Sequence, residues 1–127
     1  MSFNHAVIWI DHQSAHVIQF NHEASESEVI KTKSTHGHSG QNSHATAGYL
    51  HAVIAAVSDA LEILVVGPGS AKLELIRHAH KHDANVANKI VAVETVDHPS
   101  DAQLLAYARK YFVRVDNMKG DSLIKAA

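Results

Sequence analysis

Between Thr35 and His44 the chain reads THGHSGQNSH, with three histidines, two glycines, one glutamine and no large apolar residue. Gly37 and Gly40 permit backbone conformations that residues with a β-carbon avoid, so the amide of Gln41 would be presented on a small, glycine-shaped tip. Lys31, Lys33, His36 and His38 make the approach to that tip locally positive. A basic stem carrying a glutamine suits entry into a phosphate-lined cavity, where an amide dipole can direct a water at a carbonyl. Composition taken alone favours a polar linker.

Three other groups of residues invite chemistry. Gly67-Pro68-Gly69-Ser70 follows an apolar run and precedes a helical one, which places backbone amides and a helix N-terminus where a phosphate can bind, with Lys72 close by. The competing interpretation is a tight strand-to-helix turn with Ser70 as its cap. Asp11 ends the first apolar run, a position that suggests a two-metal nuclease. That chemistry needs several carboxylates around two ions about 4 Å apart. The first helix offers only Asp59, and the following strand runs out into Gly67-Pro68-Gly69 without an acid. Asp11 therefore reads as a turn residue. His78 and His82 stand one helical turn apart and could share a divalent ion. His80 points the other way, onto the apolar face, and no third ligand is identifiable. The loop set His36, His38 and His44 fares no better, so neither a metal site nor a cofactor is assigned. With no cysteine and no Gly-x-Ser-x-Gly elbow, a cysteine or serine hydrolase is unsupported.

The elements that must position these residues follow from periodicity. HAVIWI (5–10) reads as a buried strand, SAHVIQF (14–20) as a second and SEVIKTK (27–33) as a third, joined by the polar turns DHQS and NHEAS. Charges on the third strand suit a sheet edge. Leu50, Val53, Ile54, Val57 and Leu61 recur with helical spacing. EILVVG (62–67) and KIVAVETV (89–96) read as strands buried on both faces. Between them lies a helix whose inner face would carry Leu73, Ile76 and His80. Ser100 and Gln103 form a capping box that starts a third helix, with Leu104, Leu105, Ala108, Tyr111 and Phe112 as its buried stripe. The order βββ-α-β-α-β-α is that of an α/β, ribonuclease H-like mixed sheet with helices on both faces. Residues 1–115 form a single domain, and residues 116–127 a tail of weak patterning.

Composition narrows the class further. A formal charge of −2 over 127 residues argues against a general nucleic-acid coat, and DNA is not an expected partner. Twelve histidines make the net charge unusually sensitive to mildly acid pH. No apolar run approaches the ~18 residues of a membrane span, and no secretory signal is visible, so a cytoplasmic location is expected.

The hairpin IDHQSAHVIQF, the loop, the turn VVGPGSAK and the segment DHPSDAQLLAYARKYF together resemble the middle domain of the eukaryotic and archaeal peptide-chain release factors and their relative Pelota. The chain looks most like the small bacterial proteins related to that domain. The resemblance covers most of residues 5–113. In release factors the loop reads approximately Lys-His-Gly-Arg-Gly-Gly-Gln-Ser, and residues 35–42 lie over it without a gap. His36, Gly37, Gly40 and Gln41 match it, His38 replaces the arginine, and Ser39 replaces the first glycine of the Gly-Gly-Gln motif. The resemblance implies a partner, the ribosome with its peptidyl-tRNA, and a reaction, water attacking the peptidyl ester with Gln41 as the working residue and Gly40 shaping the tip. Lys31, Lys33, His36, Gly37, His38 and Ser39 would line the approach to ribosomal RNA. Neither the stop-codon-reading domain nor the third domain of the family is expected here, so the implied activity is release or rescue rather than programmed termination. The alternative is a non-enzymatic homo-oligomeric interaction module, joined through the strand edge at 27–33 and the tail.

Overall fold

In the apolar run His5–Ile10 every residue after His5 is buried, and in a computed structural model of the protein it forms the central strand β1. The structure describes residues 3–32 and 43–126, with backbone alone for 43–45 and 115–126. β1 is followed by β2 (Ser14–Phe20) and β3 (Ser25–Lys31), paired antiparallel in sequence order. α1 (Ser43–Ala56) leads to β4 (Glu62–Gly67), which pairs parallel with β1. α2 (Ala71–His82) and the short α3 (Ala84–Ala87) precede β5 (Ile90–Thr95), parallel to β4. α4 (Asp101–Ala126) closes the order. The sheet runs β3-β2-β1-β4-β5, the expected ribonuclease H-like mixed arrangement.

Alternation along the strands divides the core in two. Ala6, Ile8 and Ile10 of β1, with Ile63 and Val65 of β4, face α1 and α2. Val7, Trp9, Leu64 and Val66 face α4, where Leu104, Ala108 and Phe112 cover them. Helices thus lie on both faces. The capping box at the start of α4 is present: Gln103 N–H donates to Ser100 Oγ at 3.2 Å, and Ser100 N–H donates to Gln103 Oε1 at 3.0 Å. The helix continues as backbone through residues 116–126, the stretch of weakest patterning.

Several element-level expectations change. Leu61 is 63% exposed and outside α1, because the helix closes through i→i+3 bonds at Val57, Ser58 and Ala60. Ala60 takes the buried place instead. The inner face of α2 is Ala71, Leu75 and Ala79, with Ile76 half-buried against the core; Leu73 is 50% exposed and His80 faces solvent. The alanines at i and i+8 let the helix approach the sheet closely, a signal that side-chain size hides. β5 is an edge strand rather than a doubly buried one, with Val91 and Val93 exposed. A register shift between its pairings with Ile63 and Leu64 bends it away from β4 regularity. β3 is the opposite edge, carrying Glu26, Glu28 and Lys31 as expected, although the strand occupies Ser25–Lys31.

Gly67 is required where β4 meets β1, since a β-carbon there would stand 2.3 Å from the Ile10 carbonyl oxygen. Backbone cannot yield as a side chain does. Gly67→Ala should therefore lower stability by about 1–3 kcal/mol in urea unfolding, whereas Gly69→Ala, which meets open space, should change it far less.

Candidate functional site

β1, β4 and β5 are parallel, so their carboxyl ends share one end of the sheet. β2 begins and β3 finishes at that same end, because Ser14 pairs with Lys31. Four connections therefore converge there: the β1–β2 turn, the segment from β3 to α1, the turn Gly67–Ser70, and the link from β5 to α4. In open α/β sheets this is where ligands are met.

The β1–β2 turn organises the group. Asp11 Oδ1 accepts from the N–H groups of Gln13 and Ser14, both at 2.8 Å, which fixes the turn as the sequence indicated. Thr32 N–H donates to the Gln13 carbonyl at 3.0 Å, and Tyr49 donates its hydroxyl to the Asp11 carbonyl at 3.0 Å. One turn thus holds the end of β3 and the first half of α1, the two stems of the intervening segment. Lys31 is exposed at the first stem. Lys33, His36, Gly37, His38, Ser39, Gly40 and Gln41 lie outside the described residues. Burial pushes the Tyr49 phenol well above the ordinary tyrosine range, and the Asp11 carboxylate adds to the shift.

At the second candidate, Lys72 is buried and donates its ammonium to the Gly69 carbonyl within the turn. Ser70 occupies the cap position of α2, but its hydroxyl lies toward Glu74 Oε2 at 3.4 Å rather than on a backbone N–H. The same carboxylate oxygen accepts from His12 Nε2 at 2.7 Å, tying α2 to the β1–β2 turn. Gly67, Gly69, Ser70 and Lys72 are therefore together, with an acid among them and the lysine engaged by backbone.

His78 and His82 are neighbours, with ring centroids 4.5 Å apart. Among the described residues no three metal-ligating side chains converge. His78 is held below the usual histidine range by burial first, then by His82, His51 and Lys81.

One cluster escaped the sequence reading. Trp9 donates its indole N–H to the Asp97 carbonyl at 2.6 Å, His98 packs on Trp9 with centroids 4.2 Å apart, and His16 Nδ1 donates to Asp101 Oδ1 at 2.9 Å. His16 and His98 meet edge-on at 5.5 Å. The cross-strand pairing of Trp9 with His16 assembles this group, and DHPSD carries the only local hint of it.

No protein-family model matches the chain, and no curated protein matches it by sequence. Solved structures do, and the class they define is one of fold, shared with Pelota and an archaeal translation termination factor. Archaeoglobus fulgidus Pelota aligns with a TM-score of 0.63 at 14% identity, over 98% of this chain and 38% of its own. Thermoplasma acidophilum Pelota aligns at 0.61 and 14% identity, over 81% of this chain and 31% of its own. The archaeal translation termination factor aRF1 aligns at 0.61 and 14% identity, over 94% of this chain and 40% of its own. The likeness is one of fold, and the chain spans between about a third and two fifths of these proteins.

The raised phenol of Tyr49 has a signed consequence. The native state retains a proton that the unfolded chain releases above about pH 10, so the contribution is full below that pH and is lost progressively as pH climbs from there toward the higher native value. Tyr49→Phe should cost about 0.5–1.5 kcal/mol at neutral pH through the lost bond to Asp11. It should also flatten the alkaline loss of stability; urea unfolding across neutral to alkaline pH measures both. An unchanged alkaline slope would place the titration elsewhere.

Proposed function

We propose that this chain is a translation-associated domain that docks on the ribosome, corresponds to the middle domain of the release factors and Pelota, and promotes hydrolysis of peptidyl-tRNA. The observation that carries the reading is the release-factor-like fold shared with Pelota and aRF1. It is joined to a His-Gly-His-Ser-Gly-Gln segment inserted between β3 and α1. Both stems of that segment are tied to the β1–β2 turn, which gives its tip a fixed base.

In this reading Gln41 orients a water toward the ester carbonyl, and Gly40 gives the tip its backbone shape. The water oxygen bonds to the carbonyl carbon, the ester C–O bond breaks, and the tRNA 3′-oxygen takes a proton. A free peptide carboxyl and a deacylated tRNA result. No protein nucleophile is required. Lys31, Lys33, His36 and His38 supply positive charge for the RNA approach, and Gly37 and Ser39 belong to the same contact segment. The turn Gly67–Ser70 with Lys72 is a secondary candidate for a phosphate.

A second reading is a homo-oligomeric module. The outer edge of β3 pairs with no strand among the described residues, and Val29 on it is 48% exposed. Its glutamates oppose self-pairing, which makes this the weaker fit.

Co-sedimentation of the untagged protein with ribosomes across a salt series separates the two. Ribosomal docking requires saturable binding that weakens with salt and is reduced by deletion of residues 36–42. Gln41→Ala should keep binding and lose at least ~100-fold in peptidyl-tRNA release, the scale of removing one oriented dipole from a transition state. Absence of binding at low salt, with a dimeric mass in sedimentation equilibrium, would favour the module instead.

A further inference from the structure

An open cavity of about 350 Å³ lies beyond the carboxyl end of β5, where the chain turns into α4. It shares no residue with the segment that carries Gln41. Its floor is apolar, from Val96 and the buried Leu104. Two aromatic groups stand at its rim: Tyr107, 40% exposed, and His98, exposed and backed by Trp9 with ring centroids 4.2 Å apart. Two polar groups complete it. Gln103 uses Oε1 to accept from Ser100 N–H, which leaves its amide N–H groups without a partner among the described residues. Asp97 receives the Trp9 indole on its backbone carbonyl, which leaves its carboxylate likewise without a partner there. An apolar hollow with a few polar groups at its mouth is the usual form of a small-ligand site.

The chemistry of the rim selects the occupant. Exposed rings favour a planar heteroaromatic group that can stack. A carboxylate accepts from two adjacent N–H donors, and a free amide donates to a carbonyl. Guanine presents that set on one edge: N1–H and N2–H for Asp97, O6 for Gln103. Adenine offers an unprotonated N1 where guanine has a donor, and uracil has a single ring N–H. Asp97, with Asp101 one helical step into α4, disfavours a phosphate at the same mouth. We propose that this cavity is a binding site for a guanine base, supplied either as an unstacked guanine of single-stranded RNA or as free guanosine.

The single tryptophan provides the readout, because its one indole N–H resonance reports the bond to the Asp97 carbonyl and the packing of His98. ¹⁵N-labelled full chain would be titrated with guanosine, adenosine, uridine, and short single-stranded RNAs with and without guanine. Guanosine should shift the indole signal saturably and bind about tenfold or more tightly than adenosine. Tyr107→Ala should weaken that binding about tenfold, and Asp97→Asn should abolish the preference over adenosine. Circular dichroism confirms that each variant is folded, and the exposure of both positions protects the core. Guanine-containing RNA binding about tenfold more tightly than guanosine assigns the site to RNA; equal binding assigns it to the free nucleoside. No saturable shift, any other base ranked first, or affinities indifferent to both variants would overturn the proposal. Ribosome co-sedimentation is a separate measurement, so the two readings can fail independently.

Discussion

Gly67 comes so close to the end of β1 that its backbone lies directly against the Ile10 carbonyl, with no room for a side chain. This contact stands one residue beyond the last parallel pair of β1 and β4, Trp9 with Val66, before the chain bends into Pro68 and Gly69. The candidate sites of the molecule depend on that register. It brings the β1–β2 turn, the stems on β3 and α1, the turn into α2 and the link into α4 to one end of the sheet. A slip of one residue would exchange the two faces of β1 and take Trp9 from α4 to α1.

From that end the β1–β2 turn distributes support. Asp11 holds its own turn through two backbone N–H groups, then receives Tyr49 from α1 on its carbonyl. Gln13 receives Thr32, the residue after β3, and His12 reaches Glu74 on α2. A three-residue turn with no apolar side chain thus links α1, α2 and the end of β3 by hydrogen bonds. This is why an acid at the end of the first strand is structural here. Its Oδ1 is occupied by two backbone donors, as expected of a turn residue rather than a metal ligand.

Much of the fold was legible because its signals are periodic. The three-strand meander, the doubly buried β4, the capping box of α4 and the stripe Leu104–Ala108–Phe112 follow from alternation, apolar continuity and spacing. What failed was the ranking of faces by side-chain size. Ala71 and Ala79 line the core of α2 because close approach favours a methyl group, and Lys72 is buried because its ammonium finds the Gly69 carbonyl. The edge position of β5 was hidden, since its valines read alike whether a sixth strand covers them or not. The cluster of Trp9, His16, His98 and Asp101 was invisible for a different reason. It is assembled across β1, β2 and the start of α4, from residues up to 92 positions apart in sequence. The glutamine-bearing segment was legible only as a motif, from His36, Gly37, Gly40 and Gln41, because nothing in its periodicity distinguishes it from a polar linker.

The absence of cysteine from the chain makes position 41 directly addressable. A single Gln41→Cys substitution, derivatised with a hydroxyl-radical-generating iron chelate, would map what the tip approaches when the protein is mixed with ribosomes carrying peptidyl-tRNA. A tip that serves ester hydrolysis should cut ribosomal RNA around the peptidyl-transferase centre, with cleavage suppressed by unlabelled protein. Cleavage confined to other regions of the ribosome, or none above the level of free chelate, would contradict delivery of Gln41 to the ester.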